Sequence, residues 1–103
     1  MVWQVHGFQW DKGNRSKCQQ HGVSVAEIEG LFTRVLHVFP DLEHSHAEER
    51  HLAIGQAADG RHVFLAFTLR DQDSQRLIRP ISARYMHTKE VRHYEAQIAK
   101  LDQ

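Results

Sequence analysis

Between Arg61 and Arg70 apolar and polar residues alternate: Val63, Leu65, Phe67 and Leu69 fall on one side, and His62, Phe64, Ala66, Thr68 and Arg70 on the other. A period of two marks a strand with one buried face. The polar run Asp71-Gln72-Asp73-Ser74-Gln75 supplies turn chemistry, and Arg76–Met86 returns as a second β-rich run, so the two are expected to form an antiparallel hairpin. Pro80 has no amide hydrogen, which predicts an edge position or a bulge in the second arm. Glu49–Ala57 also alternates, with Arg50, Leu52, Ile54 and Gln56 on one face, and Asp59-Gly60 makes a tight turn into the hairpin. Val2–Trp10 reads as a short edge strand with Phe8 and Trp10 on the same side.

The remaining segments carry helical signals. Asn14 is the expected N-cap of a short helix over Arg15–His21, ended by Gly22. Ser24 followed three residues later by Glu27 is a capping box, with Val23 and Ile28 placed as a hydrophobic staple, so a second helix starts at Val25 and runs as far as Arg34. Leu36–Phe39 follows and is stopped by Pro40-Asp41. Asp41–Glu48 is polar without a period and reads as an exposed loop. A last helix, capped by Thr88, carries Val91, Tyr94, Ile98 and Leu101 on one stripe. The order β-α-α-β-β-β-α predicts an α+β fold: a small antiparallel sheet of about four strands with two N-terminal helices and one C-terminal helix.

At 103 residues the chain has the size of a single domain, 1–103, able to bury its own core. Thirteen basic and thirteen acidic residues cancel, so global charge makes no case for nucleic-acid binding. The charge is nevertheless segregated, with a net +4 over Arg61–Arg92 and −4 over Glu27–Arg50. One cysteine excludes an internal disulfide and fits a reducing compartment. The N-terminal residues lack the pattern of a signal peptide and no run is long enough to span a membrane, so a soluble cytoplasmic protein is expected.

Four arginines (Arg70, Arg76, Arg79 and Arg84) line the hairpin, more guanidinium than solubility requires. Arg50 shares a face with Leu52 and Ile54, so it needs an anionic partner, which can be a nearby acid such as Glu48 or Glu49, or a phosphate held bidentately. His21 ends its helix, where the dipole favours a cation; an imidazole there can be a simple cap or a proton-transfer group. Arg84 and Tyr85 close the last strand, as rim residues or as substrate contacts. His44, His46 and His51 are the best metal cluster among nine histidines, but without HExxH or a cysteine pair they read first as solvated loop histidines, with a His-cluster metal protein as a third, less favoured reading.

Three stretches, FQWDKGNRSKCQQHGVSVAEIEGLF (Phe8–Phe32), EERHLAIG (Glu48–Gly55) and RLIRPISARYMHTKEVRHYE (Arg76–Glu95), resemble the BrnT family, the ribonuclease toxins of BrnT/BrnA type II toxin-antitoxin modules. The resemblance covers nearly the whole chain and rests on W-D, H-G-V-S, E-E-R and I-S-A-R-Y in that order. It implies a RelE-like, BrnT-like fold and an endoribonuclease that inhibits translation by cutting RNA without metal or other cofactor. It also implies neutralisation by a BrnA-like ribbon-helix-helix antitoxin, with operator DNA bound only through the complex and no membrane partner.

Such cleavage needs a base for the ribose 2′-hydroxyl, cations for the phosphorane and an acid for the leaving oxygen. The expected assignment is His21 or Glu49 as base or acid, Arg50 and Arg84 as phosphate clamps, Lys17 and Arg79 as further RNA-binding cations, and Tyr85 as a base-stacking ring. It requires Arg50, His21 and Arg84 to converge at one rim of the sheet. The antitoxin is expected to cover the basic hairpin and the first helix. Gln20, where the family usually has Lys, and the balanced charge favour a second reading: a catalytically weak partner-binding and co-repressor module.

Overall fold

A computed structural model describes residues 5–44 and 46–101. Along the chain come β1 (Gly7–Phe8), α1 (Lys12–Cys18), α2 (Val25–Leu31), β2 (Leu36–Pro40), β3 (Arg50–Gln56), β4 (His62–Gln72), β5 (Gln75–Tyr85) and α3 (Thr88–Leu101). The strands form one sheet in the order β1-β5-β4-β3-β2. The fold is α+β as expected, but among the described residues the sheet has five strands and is mixed. Leu36–Pro40, too short to show a period, pairs antiparallel with β3 along its length. β1 runs parallel to β5, joining Gly7 to Leu77 and Phe8 to Ile78. No hairpin links these two strands, so nothing local sets their direction.

Several boundaries move for identifiable reasons. Within the expected edge strand, residues 1–4 lie outside the described residues, and pairing is confined to Gly7–Phe8. Trp10 then turns to donate its indole N–H to Glu29 at 2.8 Å. Asp11, not Asn14, caps α1: Asp11 Oδ1 accepts from the Asn14 amide at 3.0 Å, and Asn14 Oδ1 accepts from the Asp11 amide at 2.7 Å. Asn14 is thus the reciprocal partner in a capping box. The chain leaves α1 through Gly22, whose φ of +89° is open to glycine at little cost. The Ser24–Glu27 box starts α2 as expected, but the helix closes at Leu31, because the amides of Phe32, Thr33 and Arg34 bond three residues back and tighten the last turn. The hairpin turn shrinks to Asp73-Ser74, both at positive φ (51° and 64°), the geometry that matches strand twist in a two-residue loop. Helix α3 includes Thr88 as its first residue.

The bulge predicted at Pro80 is present. Ala66 faces Ser82 and Phe67 faces Pro80, so Ile81 is the extra residue. Val63, Leu65 and Phe67 of β4 join Ala53, Ile78 and Ala83 beneath Cys18 of α1 and Val23, Ile28 and Leu31 around α2. Rings tie this core together, Phe8 to Phe32 at 5.4 Å and Phe32 to Phe67 at 5.5 Å, both edge-on. Burial pushes the Cys18 thiol up to about 11, leaving it a small apolar side chain at neutral pH. The sheet's other face carries α3 at one end and arginines at the other.

Candidate functional site

Cross-strand register brings Arg50 of β3 opposite Thr68 of β4, and Thr68 opposite Arg79 of β5, so three strands offer side chains to one spot. Arg70 is two residues beyond Thr68 on the same face. Next to this spot β5 has lost its outer neighbour, since β1 ends at Phe8, and α1 packs there instead. A cleft of about 300 Å³ results, lined by Gly13, Asn14 and Lys17 from α1, Glu48 and Arg50, Thr68 and Arg70, and Arg79, Pro80 and Ile81. Four cations and one carboxylate share it.

The cleft's side chains are held by specific contacts. Arg79 reaches Asp11 Oδ2 at 2.9 Å and Gln9 Oε1 at 3.3 Å. Arg70 forks onto Glu48, with Nε to Oε2 at 2.6 Å and Nη2 to Oε1 at 3.1 Å. Thr68, fully buried, donates its hydroxyl to the Glu49 carbonyl at 2.8 Å and so fixes the chain between Glu48 and Arg50. The Arg70 hydrogen bonds, reinforced by the charges of Arg70, Arg50 and Arg79, hold the Glu48 carboxyl below its usual range. The Asn14 amide, then Arg79, does the same for Asp11. The cleft therefore presents guanidiniums, two of them held by these contacts, beside an ionised Glu48 carboxylate, with Lys17 exposed in its lining, an arrangement suited to a phosphodiester.

The residues singled out from the sequence divide into two groups. Lys17, Arg50 and Arg79 line the cleft. Glu49 is exposed and lies between two lining residues, its carbonyl engaged by Thr68. His21, Arg84 and Tyr85 do not line it. His21 is exposed past the end of α1, next to Gly22, which approaches the Tyr85 ring. Tyr85 donates to Glu27 at 2.6 Å and carries the Arg61 guanidinium 3.7 Å from its ring centroid, so one ring face is covered. Arg84 pairs across from Phe64 and binds Glu90 of α3 through two hydrogen bonds of 2.8 Å. The expected convergence of Arg50, His21 and Arg84 is not formed; Arg50 meets Lys17, Arg70 and Arg79 instead.

Sequence reasoning passed over Glu48, Arg70 and Asn14 as site residues. The sequence marks Arg70 only as one of the hairpin arginines and Glu48 only as a possible partner of Arg50, whereas the structure pairs Glu48 with Arg70. The loop histidine His44 is occupied by Asp41, 3.0 Å from its Nδ1. Among the described residues no three His, Cys, Asp or Glu side chains gather to hold a metal ion, and no helix is long and apolar enough to cross a membrane.

The family model described as ribonuclease toxin, BrnT, of type II toxin-antitoxin system matches residues 10–90, a span that includes every residue lining the cleft. No curated protein matches the chain. With most of its length under that model, the chain belongs to the BrnT family of ribonuclease toxins of type II toxin-antitoxin systems.

Proposed function

We propose that the cleft between α1 and the β3–β5 strands binds an RNA phosphodiester and cleaves it internally without metal, inhibiting translation. The observation that carries this reading is the meeting of Lys17, Arg50, Arg70 and Arg79 with Glu48 in one small cleft. Arg50 and Arg79 hold the non-bridging oxygens, and their planar forks suit the phosphate and the more highly charged phosphorane that follows. Glu48, released from Arg70 as that guanidinium turns to phosphate, takes the proton of the ribose 2′-hydroxyl. The 2′-oxygen bonds to phosphorus, the bond to the 5′-oxygen breaks, and that oxygen takes up a proton at the cleft mouth, where Lys17 is exposed. Glu49 at the rim is the alternative proton acceptor, and His21 acts only if a longer RNA reaches past the end of α1. The partner in this reading is a ribbon-helix-helix antitoxin of BrnA type, through which the complex reaches operator DNA.

One observation favours a second reading, a weak catalyst that serves mainly as an antitoxin partner: Arg70 and Arg79 of the cleft are already paired with carboxylates. Incubation of the purified protein with RNA in chelator separates the two. Cleavage to 2′,3′-cyclic phosphate ends, lost by a factor of about 100 or more in Arg50→Ala and retained in Arg84→Ala, is the expected result. Intact RNA would leave only the partner reading.

A further inference from the structure

We propose that Asn14 is a positioning residue of the cleft, whose carboxamide fixes the orientation in which Arg79 meets a phosphate. The inference rests on the reading of the cleft as an RNA phosphate site. Asn14 is only 6% exposed, and its amide is used to capacity on the donor side. Nδ2 donates to the Gln9 carbonyl at 3.0 Å and to the Pro80 carbonyl at 2.9 Å, while Oδ1 accepts from the Asp11 amide at 2.7 Å. Two carbonyls on one side and an N–H on the other allow a single orientation of the amide.

The three tied residues are those that hold Arg79. Gln9 and Asp11 supply the side-chain oxygens that grip the two ends of its guanidinium, and Pro80 follows it in the chain. A helix cap needs only the Asp11–Asn14 exchange; the reach to Pro80, 66 residues away, is additional. That reach also answers a local need. With β1 ending at Phe8 and the bulge at Ile81, the outward carbonyl of Pro80 meets no strand, and the carboxamide takes the place of the missing neighbour. The same contact docks α1, and with it Lys17 one turn along, beside Arg79.

Other side chains cannot do this. Aspartate lacks both donors and would set a charge against two carbonyls, serine is too short with one donor, and glutamine adds a methylene to a buried site.

The test uses a fluorescent 2′-O-methyl oligoribonucleotide, which binds but lacks the attacking hydroxyl, and reads its affinity at fixed salt for the wild type, Asn14→Ala, Arg79→Ala and the double variant, with melting curves alongside. Arg79→Ala weakens binding about tenfold, Asn14→Ala about fivefold, and the double variant binds no more weakly than Arg79→Ala alone, because the tether then has nothing to orient. Should Asn14→Ala not fold, Asn14→Ser carries the same expectation, since it retains a cap oxygen but cannot span to Pro80. Wild-type affinity in the Asn14 variant, or a fivefold loss that adds in full to that of Arg79→Ala, overturns the inference while leaving the RNA reading intact. Absence of binding by the wild type overturns the RNA reading and the inference with it.

Discussion

Helices α1 and α3 pack at different places on the same hairpin and differ in how deeply they are seated. α1 has seven residues, too few to persist alone, yet it buries Asn14 and Cys18 and is tied to β5 by the Asn14–Pro80 hydrogen bond and, at its cap, by the Arg79–Asp11 pair. α3 has 14 residues and an apolar stripe, yet buries none of them. It lies over a groove of about 870 Å³ lined by Phe39, Ile54, Phe64, Met86, Ile98 and Leu101, with Leu101 77% exposed. A pair of Arg84–Glu90 hydrogen bonds and a contact between His37 and the Tyr94 hydroxyl hold it down. Both helices have polar ties, but only the short one also sinks side chains, Asn14 and Cys18, into the body of the protein; amphipathic length has not done this for α3. The firmly held region is the one in which guanidiniums from distant segments must keep their relative positions.

One pair of substitutions exposes that difference most strongly. Ile28→Ala, at a fully buried position on the inner side of α2, is expected to cost about 2–5 kcal/mol, whereas Ile98→Ala, half-buried on α3, costs under about 1 kcal/mol. Urea unfolding of the two variants measures both, and equal losses would show α3 to be part of the core. A smaller effect follows from acid. Two hydrogen bonds from Arg84, joined by one from the His87 amide, hold the Glu90 carboxyl down at about 2. A carboxyl lowered on folding contributes stability above its unfolded value near 4.5, and that contribution is lost as pH falls from there toward 2. Amide exchange across α3 should quicken in this window before that of β4 does. Simultaneous loosening would mean that the Arg84–Glu90 pair does not anchor the helix. The pair is partly exposed, so salt should weaken the effect.

What could be read from the sequence was whatever is settled within a few residues. The Ser24–Glu27 box, the alternation of β4 and the bulge at Pro80 depend on local bonding or on one missing amide, and all three are present. The parallel pairing of β1 and the partner of β2 depend on contacts that no local pattern encodes. The site was legible in part for the same reason. Arg50, Lys17 and Arg79 can be named as cations from the sequence, and Arg70 and Glu48 only as a hairpin arginine and a possible acid partner, not as members of the same cleft. Glu48 belongs to the cleft because Arg70, 22 residues away, holds it there.

Arg84 illustrates the effect of the bulge. Counting by twos from Arg79 would turn it to the opposite face; the extra residue at Ile81 brings it back to the face of Arg79, with its partner Phe64 four residues from Thr68 on β4. Four residues of strand are roughly 13 Å, which puts Arg84 beside α3 and Glu90.

The central claim is that RNA phosphate sits among Lys17, Arg50, Arg70 and Arg79. Titrating isotopically labelled protein with the 2′-O-methyl oligoribonucleotide and following backbone amide shifts tests it most directly. The account predicts the largest shifts at Gly13, Lys17, Thr68, Arg70 and Arg79, fading as salt is raised. Shifts confined to α3 and the apolar groove beneath it, with the cleft amides unmoved, would contradict it.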